Sequence, residues 1–85
     1  MEELPEDHKL ILYNDDKHSF AYVIACLIKY CGHDPQQAEQ CALVADLAGQ
    51  CTVKHGCWAQ ISTMLEFLQS VDLEVKMEKS EGGLH

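Results

Sequence analysis

The hydrophobic pattern of this chain switches repeatedly between the alternating period of a strand and the longer period of a helix, and each switch is marked by a turn or capping residue. Lys9 to Tyr13 alternates, with Leu10 and Leu12 on one face and Ile11 and Tyr13 on the other, which predicts a strand. Over residues 19–31, Phe20, Val23, Ile24, Leu27, Ile28 and Cys31 fall at helical spacing, with Ser19 as N-cap and Gly32 as stop. "DPQQ" opens a second helix: Asp34 caps it, Pro35 suits its first position and Gln37 completes a capping box. Along it Ala38, Cys41, Ala42, Ala45 and Ala48 form a stripe of small residues, and Gly49 ends it. Residues 50–55 are rich in β-formers and predict a strand; residues 57–69 carry Trp58, Ile61, Leu65 and Leu68 at helical spacing. In "VDLEVKME", Val71, Leu73, Val75 and Met77 alternate with Asp72, Glu74, Lys76 and Glu78, a third strand with one face buried.

The resulting order, β-α-α-β-α-β in 85 residues, allows one small domain with one core. Three short strands and three helices predict an α+β sandwich, a three-stranded antiparallel sheet with the helices on one face. The expected organisation is a short flexible N-terminal extension over 1–8, a domain over 9–79 and a disordered tail over 80–85.

Fourteen acidic residues against six basic give a formal charge of −8. Such a surface disfavours nucleic acid, which needs a basic footprint, and favours cationic partners. No stretch approaches a membrane span, and the acidic start lacks the features of a signal peptide, so a cytoplasmic protein is expected. The five cysteines, at 26, 31, 41, 51 and 57, are odd in number and include no Cys-x-x-Cys pair, which predicts reduced, buried thiols. Cys51, His55 and Cys57 share one face of a strand, but zinc there needs a fourth ligand that the sequence does not point to. No cofactor is expected.

Asn14, Asp15 and Asp16 stand where the first strand hands over to a helix. By residue type alone they suit a capping turn, a site for a cation, or, with His18 and Asp46, an acid–base or divalent-metal centre. The wider pattern separates these readings. "LYNDD" at the end of a strand, then "QAEQCALVADLAGQCTVKHG" over the second helix and strand, and finally "LEVKMEKS", resemble the ClpS family from Lys9 to Lys79. The resemblance implies the α+β sandwich and a non-enzymatic role. Members are N-end-rule adaptors that bind proteins with bulky hydrophobic N-terminal residues and deliver them to the N-terminal domain of a Clp ATPase (ClpA- or ClpC-type). A monomer is the family expectation. The alternative is a ClpS-fold interaction module whose N-degron recognition is lost or altered.

Residue by residue, the family's pair that holds the α-amino group matches Asn14 and Asp15, with Asp46 at the position of its third ligand. Asp16 follows as in the family motif and is counted with the side-chain pocket, whose lining maps to His18, Phe20, Val23, Ala42, Ala45 and Leu73. Three positions depart from the family pattern. Phe20 stands where Met is common, Ala42 where a larger apolar residue is common, and Asp46 where the family usually has His. An α-ammonium has three N–H donors, and burying it requires an acceptor for each. Asn14 offers a carbonyl and the two acids offer carboxylates. Two carboxylates around one small site repel, so one of them is expected to be held above the ordinary carboxylate range in the empty protein. The few residues before the first strand make a short tether for the ATPase to engage.

Overall fold

The computed structural model describes residues 7–79, which form β1 (His8–Tyr13), α1 (Phe20–Cys31), α2 (Pro35–Ala48), β2 (Gln50–Gly56), α3 (Trp58–Ser70) and β3 (Val75–Lys79). The expected tail over 80–85 and all but Asp7 and His8 of the expected extension lie outside the described residues. β1 begins at His8, which pairs with Gly56 and Lys79.

The sheet has the order β2-β1-β3, with both outer strands antiparallel to β1. The most hydrophobic strand is thus central and paired on both edges, and Leu10, Ile11 and Leu12 are all buried. Leu10 and Leu12 join Val53 and Val75 in one core with Val23, Leu27, Ala38, Ala42, Ile61 and Leu68, which places all three helices on the same sheet face. Ile11 is 1% exposed yet stands outside that core, on the opposite face, between Thr52 and Lys76.

The helix ends follow from local chemistry. Ser19 Oγ accepts the Tyr22 N–H at 3.1 Å, and Asp34 Oδ1 accepts the Gln37 N–H at 2.7 Å. The capping box at α2 is only half made, because among the described residues the Gln37 side chain returns no bond. Gly32 and Gly49 close α1 and α2 with φ of 71° and 93°. The small-residue stripe is buried at Ala38, Cys41, Ala42 and Ala45, but Ala48 is exposed.

Trp58, at helical spacing with Ile61, Leu65 and Leu68, is 59% exposed at the first turn of α3, whereas Ile61 and Leu68 are buried. One expectation is corrected. β3 starts at Val75, not Val71: Leu73 N–H bonds back to Leu68 O at 3.1 Å, and Asp72 adopts a φ of 69°, so these residues finish α3. Asp is one of the few residues that tolerate this left-handed conformation. His33, in the loop between α1 and α2, is buried, its Nε2 bonded to Val53 O at 2.8 Å on β2.

Candidate functional site

The end of β1 is held against two neighbours. Tyr13 N–H donates to Glu74 O and Asn14 N–H donates to Gly49 O, each at 3.0 Å. The second bond fixes Asn14 beside the α2–β2 corner, one turn from Asp46 on α2. Gly49 makes that corner possible, since its φ of 93° is strained for any residue with a Cβ.

Asp15 then organises the turn into α1. Its Oδ1 accepts the N–H of Lys17 at 2.7 Å and of His18 at 3.1 Å, and its Oδ2 meets His18 Nδ1 at 2.6 Å. The His18 ring stacks on Tyr22 with centroids 4.5 Å apart and approaches Asp72 at 3.8 Å through Nε2. Tyr22 is anchored in turn by its hydroxyl, which donates to Val71 O at 2.8 Å. The Asp15 side chain is only 6% exposed. Burial by itself would raise its carboxyl, but the His18 side chain and the two backbone donors outweigh burial and hold it below the ordinary 3.8. The carboxyl expected to rise is therefore not Asp15, which its three donors together hold low.

Between this turn and α2 lies a cavity of about 180 Å³. Its apolar walls are Leu12, Val23, Ala42 and Ala45, with Phe20 half-exposed at the rim. Tyr13, Asn14, Asp15, His18 and Asp46 supply the polar edge. Among the described residues neither the Asn14 side chain nor Asp46 has a hydrogen-bond or ion-pair partner, so both present free acceptors at the mouth. Sites for drug-sized ligands run to ~300–1,000 Å³. This one is smaller, with apolar walls and polar acceptors along one edge.

Eight of the ten residues singled out in the sequence line this cavity: Asn14, Asp15, His18, Phe20, Val23, Ala42, Ala45 and Asp46. Asp16 and Leu73 do not. They line a larger, more polar cavity of about 520 Å³ on the other side of the turn, which shares Asn14 and Asp15 with the first. Leu12 and Tyr13 also line the smaller cavity and were not singled out. Their position at the end of a strand that leads into the "NDD" turn was the available signal. Among the described residues no group of three or more His, Cys, Asp or Glu side chains converges as a metal site.

The fold is an open α+β sandwich with a small, partly apolar cavity between β1, the following turn and α2. The family model of the ATP-dependent Clp protease adaptor protein ClpS matches residues 3–78, and the chain belongs to the ClpS family. No curated protein matches it. Among solved structures it is similar to Agrobacterium tumefaciens ClpS2, determined bound to L-phenylalaninamide. The TM-score is 0.82 at 18% sequence identity, over 91% of this chain and 100% of that one. A likeness at that identity establishes the fold. Proteins of this family are adaptors of the Clp protease and not themselves the protease. Among the described residues no helix is long and apolar enough to cross a membrane.

Proposed function

We propose that this protein binds the free N-terminus of proteins whose first residue is bulky and hydrophobic and presents them to the N-terminal domain of a Clp ATPase. The observation that carries this reading is the juxtaposition of an apolar, one-side-chain cavity with the acceptors of Asn14, Asp15 and Asp46 at its mouth. The first side chain enters between Val23, Ala42 and Ala45. The α-ammonium, mostly charged at neutral pH, donates to Asn14 Oδ1 and the two carboxylates. That a protein of the same fold is known with L-phenylalaninamide, a free amine on a large aromatic residue, is consistent with this pose.

Charge-assisted bonds of about 1.5–3 kcal/mol each, with a similar gain from burying the side chain, offset the cost of ordering the peptide. The net corresponds to an affinity on the order of micromolar, suited to a carrier that must release its cargo. The test is fluorescence polarisation with peptides beginning with Leu, Phe, Tyr, Trp and Glu, and an N-acetylated Leu control. Binding of the bulky free N-termini alone supports the proposal. Failure of every free N-terminus removes it and leaves the fold serving another protein partner.

A further inference from the structure

Cys41 on α2 and Cys51 on β2 take no part in either cavity, yet their sulfurs lie 2.9 Å apart where the helix packs on the strand. Both also reach one acceptor, the Thr52 carbonyl, at 3.9 Å from Cys41 Sγ and 3.6 Å from Cys51 Sγ. The two differ in access: Cys41 is buried and Cys51 half-exposed. Among the described residues no other pair of cysteine sulfurs is in hydrogen-bond contact; Cys26 and Cys31 are buried and Cys57 is exposed at the start of α3.

We propose that Cys41 and Cys51 are a modification site, a dithiol that a peroxide-class oxidant converts to a reversible intramolecular disulfide. Cys51 is the sulfur the oxidant reaches. Its thiolate attacks one peroxide oxygen, the O–O bond breaks, and Cys51 becomes a sulfenic acid as one water leaves. Cys41 Sγ then attacks Cys51 Sγ; the S–O bond breaks and the departing hydroxide takes the Cys41 proton as a second water. Two thiols lose two electrons and two protons, and one peroxide is reduced to two waters. Burial, then the Cys51 thiol, push the Cys41 thiol well above its ordinary range, so it is inert on its own and acts only because its partner is already in contact. The bond would close the corner that carries Ala42, Ala45 and Asp46 and includes Gly49, whose carbonyl holds Asn14.

The experiment treats the folded full chain, carrying Cys57→Ser to remove the exposed competitor, with hydrogen peroxide. The protein is then denatured, alkylated with N-ethylmaleimide and analysed by intact mass and peptide mapping. Of its four remaining thiols, the five of the chain less Cys57, two should escape alkylation and map to a peptide joining Cys41 to Cys51. Dithiothreitol should restore all four. With Cys41→Ser added, the reaction should stop at a Cys51 sulfenic acid that dimedone traps. The disulfide should raise the melting temperature by roughly 5–15 °C. Full alkylation of Cys41 and Cys51 after oxidation, or a link involving Cys26 or Cys31 instead, overturns the proposal. None of these readouts depends on what the cavity binds.

Discussion

Asp15 holds three donors on two carboxylate oxygens before any ligand arrives. A carboxylate has about four lone-pair directions, so about one is left for an ammonium. The residue therefore shapes the turn first and contacts a ligand second, while Asn14 and Asp46 keep their acceptors free. Two predictions follow from this division. Replacing Asp15 with Asn should cost about 1–3 kcal/mol at neutral pH, measured by urea unfolding. Because the folded carboxyl lies below its ordinary 3.8, its stabilisation is fully present above that value and is lost as pH falls through the lower, folded value. The gap between parent and Asp15→Asn should hold from neutral pH to about pH 5 and close below about pH 4. A gap that persists unchanged at about pH 2 would show that the carboxylate charge is not what stabilises the turn. Asp46 behaves differently, since it is exposed and unpaired and contributes little to folding. Asp46→Ala should leave unfolding within about 0.5 kcal/mol of the parent but weaken a free N-terminal Leu peptide by roughly 3–10-fold. Unchanged affinity would remove Asp46 from the site.

At the scale of elements, the α2–β2 corner joins fold to site. Gly49 adopts a left-handed φ, and its carbonyl receives the Asn14 N–H. Space is open around an added Cβ, so Gly49→Ala tests backbone strain without a clash. It should cost about 1–2 kcal/mol of stability and weaken peptide binding by displacing Asn14; the two effects are read by urea midpoint and by polarisation. Loss of stability with unaltered binding would show that the corner does not set Asn14. This element was legible in the sequence, because a glycine after a periodic run is the ordinary sign of a helix end. So were Ser19, Gly32 and Asp34 at the ends of α1 and α2, and the six elements and their order. What periodicity could not show was tertiary. It placed Trp58 on the stripe of Ile61 and Leu68 but could not show that the first turn of α3 is left exposed. It carried the alternation of Val71 and Leu73 into a strand, although Asp72 turns left-handed and those residues close α3 instead. Leu73 in turn is buried in the core and borders the larger cavity, not the apolar one. Nor could spacing reveal that His18, besides its local partners Asp15 and Tyr22, would approach Asp72, which it meets only when the start of α1 and the α3–β3 turn come together.

The whole molecule carries a formal charge of −8, and part of that charge is concentrated next to the proposed binding cavity. The larger cavity, lined by Asp15, Asp16, Asp72 and Glu74, has one cation at its edge, Lys17, which pairs with Asp72 at 3.4 Å. Asn14 and Asp15 border both cavities, so a peptide anchored by its first residue has acidic surface immediately beside its anchored amine. A cationic second residue gains from that surface, and an anionic one meets repulsion that Lys17, already paired with Asp72, offsets only in part. Because the surface is open to solvent, the effect is modest and screened over ~10 Å at 0.1 M salt. Peptides beginning Leu-Lys or Leu-Arg should bind roughly 3–10-fold more tightly than Leu-Glu at low ionic strength, with the ratio shrinking towards unity near 0.5 M salt. Polarisation titrations at three salt concentrations measure both the ratio and its slope. Equal affinities at low salt would mean that the chain leaves the anchor away from the larger cavity, and that the acidic surface next to the site serves solubility alone.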